Sequence, residues 1–365
     1  MAKIIPTFNS HNLLIQSDNL IGLQYLLFNG FKDNIDLVYI DPPYATGGNF
    51  TITNGRATTI SNSKNGVIAY TDTLQGKGFI EFLRERLILL RELLSERGSI
   101  YLHIDYKIGH YVKVMMDEVF GAENFRNDIT RIKCNPKNFD RVGYGNIKDL
   151  ILFYSKSAHP IWNEPRKPYS DRDLEKLFPK KDAKGRQYTT VPIHAPGETE
   201  NGKSNQPFRG MTPPAGRHWR TDVATLEQWD KEGLIEWSST GNPRKIIYAD
   251  EREGMRVQDI WEFKDPQYPD YPTEKNAEMV DLIVKTSSNE GSIVLDCFCG
   301  SGTTLKAAQI NNRQWIGIDR SEPAIRVTKE KLGAIQGDLF SIKPEYEFIN
   351  LNEENSLHHP RQYAL

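Results

Sequence analysis

Disulfide and metal-binding patterns are both absent from this sequence. Its three cysteines, Cys134, Cys297 and Cys299, are odd in number and lack the spacing of a zinc or redox pair. Cys297 and Cys299 stand two apart in an apolar strand-to-loop stretch, which reads as buried thiols in a reducing compartment. No run of about 18 apolar residues occurs, so no membrane span is expected. The opening MAKIIPTFNS has neither the apolar core nor the small-residue cleavage site of a secretory signal, and a cytoplasmic location is the expectation. No internal repeat or low-complexity tract stands out. Net charge is also scarce, at −2 over 365 residues, so the chain as a whole does not advertise a polyanionic partner.

The charge that is present is unevenly placed. From Arg131 to Arg220, 18 Lys and Arg stand against 9 Asp and Glu, and the remainder of the chain is acidic. Such a block suits a phosphate-facing surface, and also suits a solvated, charged insertion. With 38% hydrophobic residues, the chain has material for real cores, and its length suits two domains or one core fold with a large insertion.

The first 155 residues alternate in pattern. HNLLIQSD reads as a strand ending near Asp18, and NLIGLQYLLFNG as a helix closed by Gly30. IDLVYI reads as a strand, and FIEFLRERLILLRELLSERG as a long amphipathic helix capped by Gly98. SIYLHID and DLILFYS continue the strands, with YVKVMMDEVF as a helix between them. Alternation of this kind predicts an α/β fold with a mostly parallel sheet. The stretch ATGGNFTITNGRATTISNSKNGVIAYTD, rich in Gly, Asn, Ser and Thr, is expected to be a mobile loop that closes over substrate. From about Lys156 to Met255 prolines, tryptophans and basic residues mark an inserted module. Core patterning returns at VQDIWEF, and from Lys343 the tail is polar and expected to be peripheral. The division predicted is therefore 1–155 and 256–342 as two halves of one domain, 156–255 as the insertion, and 343–365 as a tail.

Two motifs carry chemistry. YIDPPY (39–44) ends a buried strand on an acid, two prolines and an aromatic ring, a placement that suits either a turn or a reaction site. SIVLDCFCGSGTTL (292–305) puts a strand before a glycine turn and a helix, where Gly300 and Gly302 let the backbone approach a ligand closely. Asp319 then ends the strand WIGID, 17 residues past Gly302, placed to hold a ribose diol. A P-loop would need Lys after its glycine, where Thr303 follows Gly302. A dinucleotide fingerprint would need a third glycine, where Leu305 stands. A nucleoside ligand without a pyrophosphate fits better, and S-adenosylmethionine is the obvious one.

DPPY together with DCFCGSGTT resembles the amino-directed DNA methyltransferases. The order of DPPY, basic insertion and glycine motif resembles their β-class, which includes the modification subunits of type III restriction systems and many orphan or phage-encoded enzymes. The segments FLRERLILLRELLSERGSIYLHID, MMDEVFGAENFRNDI, KDLILFYSK and YPTEKNAEMVDLIVKTSSNEG extend the likeness over roughly residues 10–335. Cys297 and Cys299 depart from the family's proline and small residue, and Asn276 from its proline after Glu-Lys.

The resemblance implies a Rossmann-like S-adenosylmethionine-dependent methyltransferase fold, mostly parallel in its sheet, with an inserted target-recognition module. It implies that Asp41 and the Pro42 carbonyl accept the two hydrogens of an adenine N6 amino group, that Pro43 stiffens the turn, and that Tyr44 stacks on a base flipped from duplex DNA. On the cofactor side it implies Asp319 for the ribose, Phe298, Gly300, Gly302 and Thr303 around the methionine end, Asp296 supporting that loop, and Thr273 and Lys275 over the methionine. Asp18 matches the family's acid near the cofactor adenine and equally suits a helix N-cap. Arg209, Arg217 and Arg220 are candidate DNA contacts. His194 and His218 read as structural or DNA-facing, and His103 and Asp105 as lining the site or closing the core edge. No metal is expected. The product would be S-adenosylhomocysteine, and the partners double-stranded DNA, a second copy of the chain and a restriction subunit, with the protein nucleoid-associated through DNA. Cytosine N4 or RNA as target, and a silent DNA-binding subunit, remain the alternatives.

Overall fold

The computed structural model describes residues 12–43, 49–53, 56–58, 67–71, 77–135, 140, 142–197, 202–267, 274–335 and 345–351, with 49–71 described for the backbone alone. The chain divides into two compact units, residues 1–165 with 258–365, and residues 166–257.

The first unit is built on nine strands: β1 (Asn12–Gln16), β2 (Ile35–Ile40), β3 (Leu94–Ile104), β4 (Phe125–Ile132), β5 (Lys148–Ser155), β6 (Ile260–Trp261), β7 (Ile293–Asp296), β8 (Gln314–Asp319) and β9 (Tyr346–Asn350). Their order in the sheet is β6-β4-β5-β3-β2-β7-β8-β1-β9. Every neighbouring pair is parallel except the two made by β5, which runs against β3 and β4. In β2 the four consecutive residues Leu37 to Ile40 are all buried, so both faces of the sheet are covered.

Among the described residues six α-helices do the covering: α1 (Asn19–Phe28), α2 (Lys77–Leu93), α3 (Tyr106–Phe120), α4 (Ala277–Ser287), α5 (Thr303–Ile310) and α6 (Glu322–Gly333). α2 packs against α1 and α3, and α5 packs against α4 and α6. The apolar stripe of α2 (Phe79, Leu83, Leu87, Leu90) is fully buried against Val38, Ile40, Ile100 and Leu102 of the sheet. Each such side chain contributes about 1.5–3 kcal/mol of transfer free energy. Asn276 caps α4 by accepting a hydrogen bond from the Met279 N–H at 3.0 Å, so the residue that replaces the family's proline starts a helix. No helix among the described residues is long and apolar enough to cross a membrane.

Three expectations change. Gly98 does not cap α2. The helix stops at Leu93 and the chain enters β3 at once, with a register shift opposite Ile35 and Leu37 that absorbs the SERG segment. At Gly98 an added Cβ would meet the Ile35 carbonyl oxygen at 2.8 Å, so close strand packing explains that glycine. The tail from Lys343 supplies β9, which pairs in parallel with β1 and extends the sheet edge. The glycine- and threonine-rich stretch after DPPY holds three short antiparallel strands, Asn49–Thr53, Arg56–Thr58 and Val67–Thr71.

The second unit has its own antiparallel sheet, with strands Lys180–Lys181, Gln187–Pro192, Pro243–Tyr248 and Ile235–Trp237 in that spatial order. Ile193, Phe208, Trp219 and Leu226 form its small core. Its two ends, Arg166–Lys167 and Met255–Arg256, pair antiparallel, as the entry and exit of an insertion should.

Candidate active site

The middle of the sheet is where the strand order reverses. β2 lies beside β7, and the chain departs from them in opposite directions, toward β3 on one side and β8 on the other. In open α/β sheets the crevice outside the carboxyl ends at such a point is where ligands bind. Asp41 follows β2, Asp296 ends β7 and Asp319 ends β8, so three carboxylates stand at neighbouring strand ends.

Asp41 is mostly buried, and its Oδ2 lies 2.6 Å from the Lys275 Nζ. That ion pair joins the two sequence halves of the unit across more than 230 positions. Pro42 is buried and Pro43 partly so. Tyr44 and Thr273 lie outside the described residues.

Beside Asp41 runs a buried polar chain. β2 and β3 pair Ile40 with Leu102, which brings His103 level with Asp41. The Tyr39 hydroxyl lies 3.1 Å from His103 Nδ1, and His103 Nε2 lies 3.3 Å from Asp149 Oδ2. Lys133 Nζ donates to Asp149 Oδ1 at 2.5 Å, and Arg131 donates to Asp265 at 2.5 Å. Burial pushes the His103 imidazole toward its neutral form. Burial opposes ionisation of Asp149 as well, but hydrogen bonds from His103 and Lys133, with the Lys133 charge, outweigh it and hold the carboxyl well below the usual carboxylate range.

The glycine turn is held from two sides. Asp296 Oδ1 accepts from the Phe298 N–H at 3.0 Å and its Oδ2 from the Thr304 hydroxyl at 2.6 Å. Asp319 accepts from the Gly300 N–H at 2.9 Å and the Ser321 N–H at 2.8 Å. Gly300 and Gly302 have φ of +50° and +75°, and a Cβ on Gly302 would strike the Thr328 side chain at 2.8 Å. Burial raises the Asp319 carboxyl above its ordinary value and pushes Asp296 up to about 7. The thiols of Cys297 and Cys299 are buried and pushed up likewise. Thr303 opens α5, and its hydroxyl lies 3.4 Å from Lys331 Nζ, which also donates to Ser301 at 3.0 Å and pairs with Glu274.

Asp18 caps α1, accepting from the Leu20 N–H at 2.9 Å, and lies 3.4 Å from Arg86. Arg86 also donates to Asn19 at 2.5 Å and sits 3.5 Å above the Phe82 ring, which in turn neighbours Phe298 at 6.3 Å. Lys331, Glu274, Arg86 and Phe82 were not anticipated. The α2 sequence carries one usable signal, a cation at 86 on the same helical face as the buried stripe.

These residues suit S-adenosylmethionine. A turn bare of side chains approaches closely, a carboxylate at the next strand end can accept from ribose hydroxyls, and aromatic and acidic groups lie beside it. No group of three or more metal-ligating side chains occurs among the described residues.

In the second unit Arg209 pairs with Asp230, its Nε donating at 2.6 Å. Arg217 Nη1 lies 3.1 Å from His194 Nδ1, and Arg220 is exposed. Burial, then the charges of Arg217, Arg220 and Arg244, hold the His194 imidazole below its ordinary value. His218 donates from Nδ1 to the Gly197 carbonyl at 2.8 Å.

Fold and site together define an α/β transferase with a nucleoside-binding turn and an acidic strand end. The chain belongs to the DNA methylase family, whose model matches residues 35–330. It is 41% identical over 352 residues to the type II methyltransferase M.EcaI of Enterobacter cloacae, covering 95% of this chain and 74% of that protein. It is 25% identical to the StyLTI Mod subunit of a type III restriction-modification enzyme from Salmonella typhimurium, covering 84% of this chain and 51% of the subunit. It is 23% identical to the DNA adenine methyltransferase YhdJ of Escherichia coli, covering 89% and 83%. The chain thus spans about half the length of the type III subunit, and the protein is a DNA methyltransferase.

Proposed function

We propose that the protein transfers a methyl group to N6 of an adenine flipped out of duplex DNA, with S-adenosylmethionine as donor. The observation that carries the reading is the convergence of Asp41, Asp296 and Asp319 on adjacent strand ends around the glycine turn. Bound S-adenosylmethionine supplies an electrophilic methyl group and leaves as S-adenosylhomocysteine. Asp319, Phe298, Gly300, Gly302 and Thr303 hold it, Asp296 keeps the turn closed, and Asp18 and Thr273 stand with them in this assignment.

An exocyclic amine is a poor nucleophile because its lone pair is delocalised into the ring. Asp41 and the Pro42 carbonyl accept hydrogen bonds from its two N–H groups, which favours a tetrahedral nitrogen with the lone pair aimed at the methyl group. Asp41 is placed to take the proton the nitrogen sheds as the N–C bond forms and the S–C bond breaks. Lys275 orients the Asp41 carboxylate through the 2.6 Å ion pair. Pro43 stiffens the turn and Tyr44 offers the stacking face. Adenine is preferred over cytosine N4 because position 41 is Asp, and the similarity to YhdJ supports the same choice. Single-molecule sequencing of DNA from cells expressing the protein reads both base and context; methylation confined to cytosine would reject the adenine assignment.

Target recognition is assigned to the inserted unit, with Arg209, Arg217 and Arg220 facing DNA. DNA affinity is then expected to fall steeply with salt, and Arg217→Ala or Arg220→Ala should each reduce the log–log slope by about 1. Fluorescence anisotropy across a salt series checks this, and an unchanged slope rejects the assignment. A homodimer and a restriction subunit are proposed as further partners, tested by sedimentation and co-purification.

The buried Asp296 makes a separate prediction. Its folded-state carboxyl holds a proton up to about 7, whereas the unfolded group releases it near its ordinary value. The folded state binds the extra proton between those values, so stability falls as pH rises from about 4 to 7 and levels off above, by roughly 1 kcal/mol per unit. Thermal unfolding of Asp296→Asn across that window should show a flatter profile than wild type.

A further inference from the structure

The segment between β4 and β5 carries apolar groups that the reaction above does not use. Val142 and Tyr144 are essentially fully exposed, at 105% and 99%. An exposed valine alone would be unremarkable, but a fully exposed tyrosine between two glycines, Gly143 and Gly145, is a large ring on a narrow backbone. Gly143 has φ of +112°, a conformation open to glycine, and its Cβ position meets nothing within 4 Å.

The placement of this segment decides its reading. β4 runs parallel to β3's direction, since both oppose β5, so its carboxyl end points to the same edge as Asp41, Asp296 and Asp319. Leu150 pairs with Ile104, and Lys133 Nζ lies 3.9 Å from Asp105 Oδ2, so the base of the segment is level with the end of β3. β5 is two strands from β2, about 10 Å away. Tyr144 stands four residues before Lys148, a reach of about 13 Å, enough to bring its ring to the crevice mouth. From Lys137 to Lys148 the sequence holds three cations and one acid, which suits a path along phosphates.

We propose that Tyr144, with Val142 beside it, enters the duplex where the target nucleotide has left and fills the vacated stack. Apolar and aromatic side chains inserted between base steps offset unstacking, and a ring stacks on any base. This makes Tyr144 a positioning residue that holds the flipped state open, and it rests on the reading that duplex DNA is the substrate.

The test uses the full chain and a duplex oligonucleotide bearing the site that the wild-type protein methylates in cells. Tyr144→Ala is expected to lower kcat/KM on the paired duplex by about tenfold or more, and to recover to within about threefold of wild type when the target base faces an abasic site. Tyr144→Phe and Tyr144→Trp should stay close to wild type on both, and S-adenosylmethionine binding should not move. An equal loss on paired and abasic substrates, or no loss, overturns the proposal. So does a change of oligomeric state in Tyr144→Ala by sedimentation, which would place the ring at a protein interface. A wild-type protein inert on both substrates would instead remove the duplex reading itself, and the proposal with it.

Discussion

Asp41→Ala is expected to abolish methyl transfer, lowering kcat by about 10³-fold or more while duplex affinity stays within about twofold. In the proposed reaction the carboxylate is the acceptor that reshapes the amino group, and no other described acid ends β2. The substitution also takes from Lys275 the ion pair at 2.6 Å, leaving an ammonium in a mostly buried position. Stability should therefore fall together with activity, since breaking a buried pair by removing one partner is costly. The double variant Asp41→Ala with Lys275→Met separates the two effects. It should regain thermal stability and remain inactive. Substantial turnover by Asp41→Ala, measured with radiolabelled donor, would remove Asp41 from the reaction.

Asp319→Ala is expected to weaken S-adenosylmethionine binding by about 100-fold, with DNA binding retained. Two losses coincide: an acceptor for the ribose, and the hydrogen bonds from the Gly300 and Ser321 N–H groups that hold the turn. Removing a buried acceptor leaves its donors unsatisfied, at about 1–3 kcal/mol each. Gly302→Val should act in the same direction, because φ is +75° and its side chain would meet Thr328. Calorimetry with S-adenosylmethionine reads both variants, and wild-type affinity in Asp319→Ala would reject its assignment to the cofactor.

Much of the frame is legible in the residues, for physical reasons that differ by element. The run IDLVYI reads as a strand because burial on both faces demands consecutive apolar residues, here Leu37 to Ile40, and the α2 stripe reads as a helix because one face alone is buried. The glycine turn shows itself because backbone conformations with positive φ need glycine. What stays hidden is pairing between distant positions. Nothing local in YPTEK announces that Lys275 reaches Asp41, or in α6 that Lys331 reaches Ser301. Gly98 misled because a glycine after a helix usually caps it, whereas here it admits a neighbouring strand. The polar, short β9 lacks the apolar run of a central strand because an edge strand is covered less completely.

The same distance has a consequence for how the protein is made. β2 carries Asp41, yet its partner β7 pairs Val294 with Leu37 and Leu295 with Val38, and β1 waits for Ile316. On the ribosome, β2 emerges early and stands with one flank bare until about 250 further residues have followed. Closing such long loops is slow, and an unpaired parallel strand is exposed to wrong partners meanwhile. A chain interrupted before β7 and β8 would thus carry Asp41 and no crevice beside it.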